Sequence, residues 1–511
     1  MEEPFNIVDL FLQSAKKYPN KTAIIDKDKV ITFSEFEKLI QNTSAYFIKK
    51  GIVKGDRVML FVPMSIDLYR IVLALFNIGA AAVFLDEWVS KKRMEECCKT
   101  AQCKAFIGIF KARVFALFSS ELKKIPIKLG VNYPMVSESE NKTAAVYKSD
   151  TALITFTTGS TGTPKAAKRT HGFLHEQFGA LLEKIDPKPE DIDMPILPIV
   201  LLINLGAGCT SVITDFKAGK PELMNAEKIM EQLNKHKVTR LISSPFFVKQ
   251  LAKYIIAGNN KSSAPALKKI FTGGAPVFPA EAALYNKAFP DAQVEIVYGS
   301  TEAEPISSIN AKELLKEQEN ILQKGLKVGI PYRKAEVRII EIKTDPIICA
   351  DENELKKIIL PLGKIGEIIV SGPHVLREYF NNENALKQNK IFIGEKCWHR
   401  TGDSGYMDEH GIIYLTGRSS TLIYSGEKII APFIYENYLA SIEGIEMGTV
   451  MHLNNKLTAV LEVKTVNNKK EILNQVNKAD ISFDDIKFIA KIPRDPRHNS
   501  KIDYEKLRSK Y

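Results

Sequence analysis

The sequence predicts an α/β fold: a large N-terminal domain of parallel α/β sheets with a β-rich subdomain past Gly363, and a small α+β lobe at the C-terminal end. Three observations lead there. Runs at 57–62, 66–78 and 80–85 alternate in character as strand, helix and strand, and the rhythm returns at 211–214, 226–237 and 239–243, as parallel α/β units require. Runs at 366–371 and 411–415 read as short strands separated by Gly, Asp and Asn, the pattern of a more β-rich region. At Gly417-Arg418-Ser419-Ser420 a strand ends and small polar residues precede another strand, dividing the chain into 1–416 and 417–511.

Size and composition agree with an enzyme-sized globular protein. The 511 residues exceed the ~250–300 at which a single hydrophobic core stops growing. A hydrophobic share of 45% and a charged share of 26% disfavour both disorder and a membrane-spanning class. The net charge of +11 is spread along the chain with acids among the bases, and no basic tract is interleaved with aromatics, so nucleic acid is not an expected partner. The excess suits steering of an anionic substrate or peripheral contact with an anionic membrane face.

Two apolar stretches, 71–85 and 196–213, bear on the membrane question. The second approaches the ~18 residues of a span, but it contains Pro198, Asn204, Gly206, Gly208, Thr210 and Ser211. Those residues suit a buried strand, turn and helix start, so no transmembrane span is expected. The six cysteines, with Cys97 and Cys98 adjacent and Cys103 five further on, fit neither a disulfide framework nor a zinc spacing. Reduced, mostly buried thiols are expected. The start Met-Glu-Glu-Pro-Phe has no basic segment followed by an apolar run, so no secretory signal is visible and a cytoplasmic location is expected.

A strand at 152–156 runs directly into Thr157-Thr158-Gly159-Ser160-Thr161-Gly162-Thr163-Pro164-Lys165. Its glycines allow close backbone approach, its hydroxyls supply donors and its lysine supplies charge. A polyphosphate needs all three. A Walker loop would place Ser or Thr after the lysine and open a helix; here Lys165 follows Pro164 and precedes Ala166.

Further motifs follow in chain order: Phe271-Thr272-Gly273-Gly274-Ala275-Pro276, Val297-Tyr298-Gly299-Ser300-Thr301-Glu302, Thr401-Gly402-Asp403, Gly417-Arg418, and a terminal Arg497-His498-Asn499-Ser500-Lys501-Ile502. Together with the loop they resemble the acyl-adenylate-forming superfamily, which includes acyl-CoA synthetases, peptide-synthetase adenylation domains and luciferases. The resemblance implies ATP phosphates on Thr157, Thr158, Gly159, Ser160, Thr161, Gly162 and Lys165. It implies adenine beside Gly274, Ala275 and Pro276 and against the face of Tyr298, next to Gly299. It further implies Thr301 at a phosphate, magnesium near Glu302 and Thr157, a turn presenting Asp403 to both ribose hydroxyls, Arg418 on the nucleotide and Lys501 as the catalytic lysine. In that family the small lobe is mobile and rotates about the hinge at Gly417–Ser420 between two half-reactions.

The chemistry implied is activation of a small-molecule carboxylic acid. A carboxylate has oxide as its leaving group, so it must first become a mixed anhydride with AMP, and charge developing on the α-phosphate calls for magnesium and the Lys501 ammonium. The acyl group then commonly passes to the thiol of CoA or to the phosphopantetheine of an acyl carrier protein. Ser420 stands where the family usually has Asp or Lys, and Gly426 follows Arg418 one residue sooner than in typical CoA ligases, which weakens the implication for this second step. Residues 195–202 carry no charged or aromatic side chain; an aliphatic acyl chain fits such a wall better than an amino acid, and plain core packing explains it equally well. Stretches 197–215, 398–403 and 497–502 are similar to the β-lactone synthetases of olefin biosynthesis and to fatty-acyl ligases. A β-lactone synthetase would let a β-hydroxyl of the acid itself displace AMP. A catalytically silent acyl- or nucleotide-binding scaffold is the reading from another class, and the presence of Glu302, Asp403, Arg418 and Lys501 argues against it.

Overall fold

A computed structural model describes the chain except residues 1–2, 86–90, 136–142, 159–163, 218, 259–263, 318–323, 427, 464–468 and 496–500. One sheet has the strand order Ile127–Leu129, Ala105–Gly108, Arg57–Phe61, Ala81–Phe84, Thr151–Thr158, Pro164–Thr170. Its neighbours are parallel except the last pair, which is a hairpin. The expected strand–helix–strand unit is there, with helix Ile66–Asn77 between the strands at 57–61 and 81–84. Ser65 starts that helix by accepting the Leu68 N–H on its hydroxyl at 3.3 Å, satisfying one of the donors a helix start leaves free. The helix is buried from Leu68 to Asn77, which explains the apolar stretch at 71–85 without a membrane.

The second sheet begins with the hairpin Lys29–Thr32 and Thr22–Asp26 and continues through Thr210–Ile213, Ile192–Pro195, Arg240–Ser243, Lys269–Gly273 and Gln293–Ser300 in parallel. It then turns antiparallel through Ala303–Asn310, Leu326–Pro331, Ile413–Arg418, Lys396–Met407, Gly366–Ser371 and Glu336–Ile340. The β-rich region past Gly363 is therefore bonded onto the parallel sheet as its continuation. The short strand Lys390–Ile393 pairs beside Lys396–Met407.

In 196–213 the observed order is helix Pro198–Ala207, then strand Thr210–Ile213, where the sequence suggests a strand before a helix start. Pro198 occupies the first helical turn and Gly208, at φ +75°, ends the helix, as their backbone preferences dictate. Inside, the Asn204 amide donates to Asp193 Oδ2 and Ser211 Oγ at 3.0 Å each. Arg240 Nη2 donates to the same Asp193 oxygen at 2.7 Å and to Asn204 Oδ1 at 3.1 Å. Three strands and the helix are thus tied through one buried ion pair.

Among the described residues no helix is long and apolar enough to cross a membrane. All six cysteines are buried with free thiols. Burial pushes Cys98 and Cys103 up to about 12, which keeps these thiols protonated and unreactive.

Beyond the short turn Ser419–Thr421, a smaller C-terminal domain has its own three-stranded sheet of Ile445–Leu453, Lys456–Val463 and Asp485–Ile489. Its core gathers Ile430, Leu439, Val450, Leu461 and Ile472. It meets the larger part through Glu446, which pairs with Lys253 at 3.1 Å, and through an edge-to-face contact of Phe433 with Phe278 at 6.0 Å. Helix Tyr504–Lys510 is docked by Leu507 and by a buried carboxyl: Thr449 Oγ1 donates to Glu436 Oε1 at 2.7 Å, and the Tyr504 hydroxyl donates to the same oxygen.

Burial pushes Glu436 from 4.5 up to about 7, against the two hydrogen bonds. The folded domain then holds a proton that the unfolded chain releases near 4.5, so stability falls as pH rises through that window and levels off above it. Glu436→Gln is expected to shrink the difference between the melting temperatures at pH 5.5 and pH 8.5. A difference as large as that of wild type contradicts this account of the carboxyl.

Candidate active site

Two hairpin tips lie at the carboxyl ends of parallel strands, where open α/β sheets bind ligands. The first joins Thr151–Thr158 to Pro164–Thr170, with Thr157 and Thr158 paired to Lys165 and Pro164; Gly159, Ser160, Thr161 and Gly162 lie outside the described residues. The loop thus leads into an antiparallel strand, in keeping with the absence of a Walker signature. The second tip carries Thr301 and Glu302 between Gln293–Ser300 and Ala303–Asn310, where the large sheet changes from parallel to antiparallel.

A connecting segment fastens the tips together. Val375 bridges to Ala303 and Tyr379 to Ala167. Leu376 N–H donates to Glu302 O and Phe380 N–H to Ala166 O, each at 2.7 Å. Glu302 is 8% exposed, and the Tyr379 hydroxyl donates to its Oε1 at 3.3 Å. Lys165 Nζ donates to Asn389 Oδ1 at 2.7 Å. Burial lowers the Lys165 pKa, with Glu302 opposing and Arg418 adding to the shift. Next to Asn389, Lys390 is 3% exposed with its Nζ 5.6 Å from the Tyr379 ring centre. Burial pushes its ammonium down to about 8 against the pull of Cys397 and Glu302, so it is mostly a cation at neutral pH. His399, paired with Lys390 across the strands, is held neutral by burial and by that cation.

On the other side, Gly273 pairs with Val297, which sets Gly274, Ala275 and Pro276 beside Tyr298. Gly274 has φ +83°, a conformation that favours glycine. The Tyr298 hydroxyl donates to Asp403 Oδ2 at 2.9 Å, and burial followed by the Asp403 charge raises its pKa well above the phenol range. The resemblance implies a turn at Thr401-Gly402-Asp403, but the structure makes this segment part of a strand. It lies within strand Lys396–Met407, because Asp403 is in register with Arg418 on the neighbouring strand. Arg418 Nη1 donates to Asp403 Oδ1 at 2.6 Å and to Thr401 O at 3.2 Å, and the Asp403 charge raises the arginine's pKa. Gly402, at φ +68°, leaves room for this: a Cβ there would stand 2.9 Å from Arg418 Nη2.

Lys501 belongs to the smaller domain and is exposed. Asp495 orders its backbone, accepting the Lys501 N–H on Oδ1 at 3.0 Å while its own N–H donates to Lys501 O at 2.9 Å. Lys165, Glu302, Asp403, Arg418 and Tyr298 are brought together by the larger part of the chain; Lys501 is carried separately.

Sequence reasoning missed Tyr379, Asn389 and Lys390, which stand in no recognisable motif. With Lys165, Lys390 and Arg418 around Glu302 and Asp403, the site carries an excess of positive charge suited to a polyphosphate. Among the described residues no group of three His, Cys, Asp or Glu could hold a metal. A buried Glu302 carboxylate fits magnesium that takes its other ligands from phosphates and water.

A family model described as AMP-binding enzyme matches residues 11–380. The chain is 28% identical to the olefin beta-lactone synthetase of Stenotrophomonas maltophilia, covering 82% of this chain and 80% of that protein. It is 28% identical to that of Xanthomonas campestris, covering 94% and 90%. It is 26% identical to the 2-succinylbenzoate–CoA ligase of Oceanobacillus iheyensis, covering 84% and 82%. Among solved structures, the amide bond synthetase McbA of Marinactinospora thermotolerans superposes with a TM-score of 0.82 at 19% identity, covering 99% of this chain and 100% of that one. The O-succinylbenzoate coenzyme A synthetase of Bacillus subtilis, in complex with ATP and magnesium ion, gives 0.80 at 20% identity, covering 100% and 99%.

Proposed function

The chain belongs to the AMP-binding enzyme family and is an acyl-adenylate-forming ligase, and from that premise we propose that it activates a fatty acid and passes the acyl group to a thiol of CoA or of an acyl carrier protein. The observation that supports the first step most is the side-by-side fastening of the two hairpin tips, which gathers Lys165, Glu302, Asp403 and Arg418. In this reading residues 157–162 and Lys165 hold the phosphates, with Thr301 beside them. Gly274, Ala275, Pro276, Tyr298 and Gly299 receive adenine, Asp403 takes the ribose hydroxyls on its remaining lone pairs, and Arg418 contacts the nucleotide. Magnesium near Glu302 and Thr157, when bound, supplies charge neutralisation on phosphate oxygens. The substrate carboxylate attacks the α-phosphorus, pyrophosphate leaves, and the Lys501 ammonium meets the charge that develops. Because Lys501 lies in the smaller domain, that domain turns about the hinge at Gly417–Ser420 to deliver it.

A fatty acid is supported by helix Pro198–Ala207, whose Val200 and Ile203 pack toward Phe271, on the strand leading to Gly274. Apolar walls of this kind suit an alkyl chain.

A second reading, a β-hydroxy fatty acid whose own hydroxyl displaces AMP to close a β-lactone, is favoured by the two relatives named olefin beta-lactone synthetase and by the changed hinge positions Ser420 and Gly426. The protein is to be incubated with ATP, magnesium and a panel of fatty and β-hydroxy fatty acids, with and without CoA, and the products identified by mass. A CoA-dependent thioester supports the ligase reading, and a lactone formed without CoA supports the second. Failure of every acid in the panel to give AMP contradicts the substrate assignment in both.

A further inference from the structure

We propose that Lys390 is a phosphate-binding residue, its ammonium meeting the polyphosphate end of ATP beside Lys165; this rests on the nucleotide reading of the site given above. Its Nζ is buried and meets no hydrogen-bond acceptor among the described residues. An ammonium has three donors to satisfy, and leaving them unmet away from water is costly. The Tyr379 ring at 5.6 Å offsets part of that cost, but a ring face accepts no full hydrogen bond. An anionic ligand would supply what is missing.

Position points to which ligand. Asn389, the residue before Lys390, accepts the hydrogen bond from Lys165 across 224 positions of sequence. The Tyr379 ring under Lys390 carries the hydroxyl that reaches Glu302. The strand that Lys390 opens pairs with the strand bearing Asp403. Lys390 therefore stands on the phosphate side of the site, close to Lys165 and Glu302. Asp403 is taken up by Arg418, so Glu302 alone faces both lysines, and a polyphosphate brings the charge that balances them.

Calorimetric binding of magnesium–ATP, magnesium–pyrophosphate and AMP to wild type, Lys390→Met and Lys390→Arg, without acid, tests this, alongside melting temperatures of the ligand-free proteins. Lys390→Met is expected to weaken ATP and pyrophosphate by about 10- to 100-fold, the range for a lost charged hydrogen bond, and to leave AMP within about twofold. The ligand-free methionine variant should melt no lower than wild type, because an unpaired buried charge has been replaced by an apolar chain of similar shape. Lys390→Arg should recover part of the ATP affinity. Unchanged ATP affinity in Lys390→Met, equal losses for ATP and AMP, or a lowered melting temperature overturns the proposal and leaves the lysine a packing role. Wild type that binds neither nucleotide overturns instead the reading on which the proposal rests.

Discussion

Lys501→Ala is expected to lower acid-dependent pyrophosphate release by about 100- to 1,000-fold, the usual cost of removing one preorganised charge from a developing oxyanion, with ATP affinity kept within about threefold. The split follows from where the residue sits. The cluster proposed to hold the nucleotide belongs to the larger part of the chain, whereas Lys501 is presented on the smaller domain by Asp495. In the proposed reading Lys501 arrives only when the smaller domain turns, so its charge would act on the transition state and contribute little to holding ATP. Exchange of labelled pyrophosphate into ATP, measured with the best acid of the panel, reports the step. Exchange equal to wild type would remove Lys501 from the mechanism.

The second large effect is on stability. Arg240→Met should destabilise the larger domain by about 3–5 kcal/mol, the range for breaking a buried ion pair from one side, read as a lowered urea midpoint. Arg240 and Asp193 are 1% and 0% exposed. Burial already raises the Asp193 pKa with the arginine in place, so without it the carboxylate must take up a proton or stay charged and unpaired. Asn204 would lose a partner as well, loosening helix Pro198–Ala207 along the proposed acyl wall. Replacing both charges, Arg240→Met with Asp193→Leu, should recover much of the loss. A single Arg240→Met variant as stable as wild type would show that the network contributes nothing.

What was legible in the sequence is what local pattern controls. The rhythm at 57–85 appears as strand, helix and strand because burial on both faces of a parallel sheet leaves apolar runs of characteristic length. The burial of 196–213 is legible in its composition, but the order of its elements is not, since Pro198 can open a helix as readily as end a strand. Thr401-Gly402-Asp403 was visible as a motif; its place inside a strand depends on pairing with 413–418, which no local signal encodes. Tyr379, Asn389 and Lys390 were invisible for the same reason. Each reaches the site through a contact with a distant segment, and a lone Lys or Asn in a polar stretch looks like solvated surface. Lys501 was legible through resemblance alone.

The central claim is that the acid's carboxylate attacks the α-phosphorus of ATP. Supplying the acid with both carboxyl oxygens as ¹⁸O and analysing the AMP by mass tests it directly, because cleavage of the mixed anhydride at the acyl carbon leaves the bridging oxygen on phosphate. One ¹⁸O per AMP is the predicted result. AMP free of label, or ADP in its place, would contradict the account.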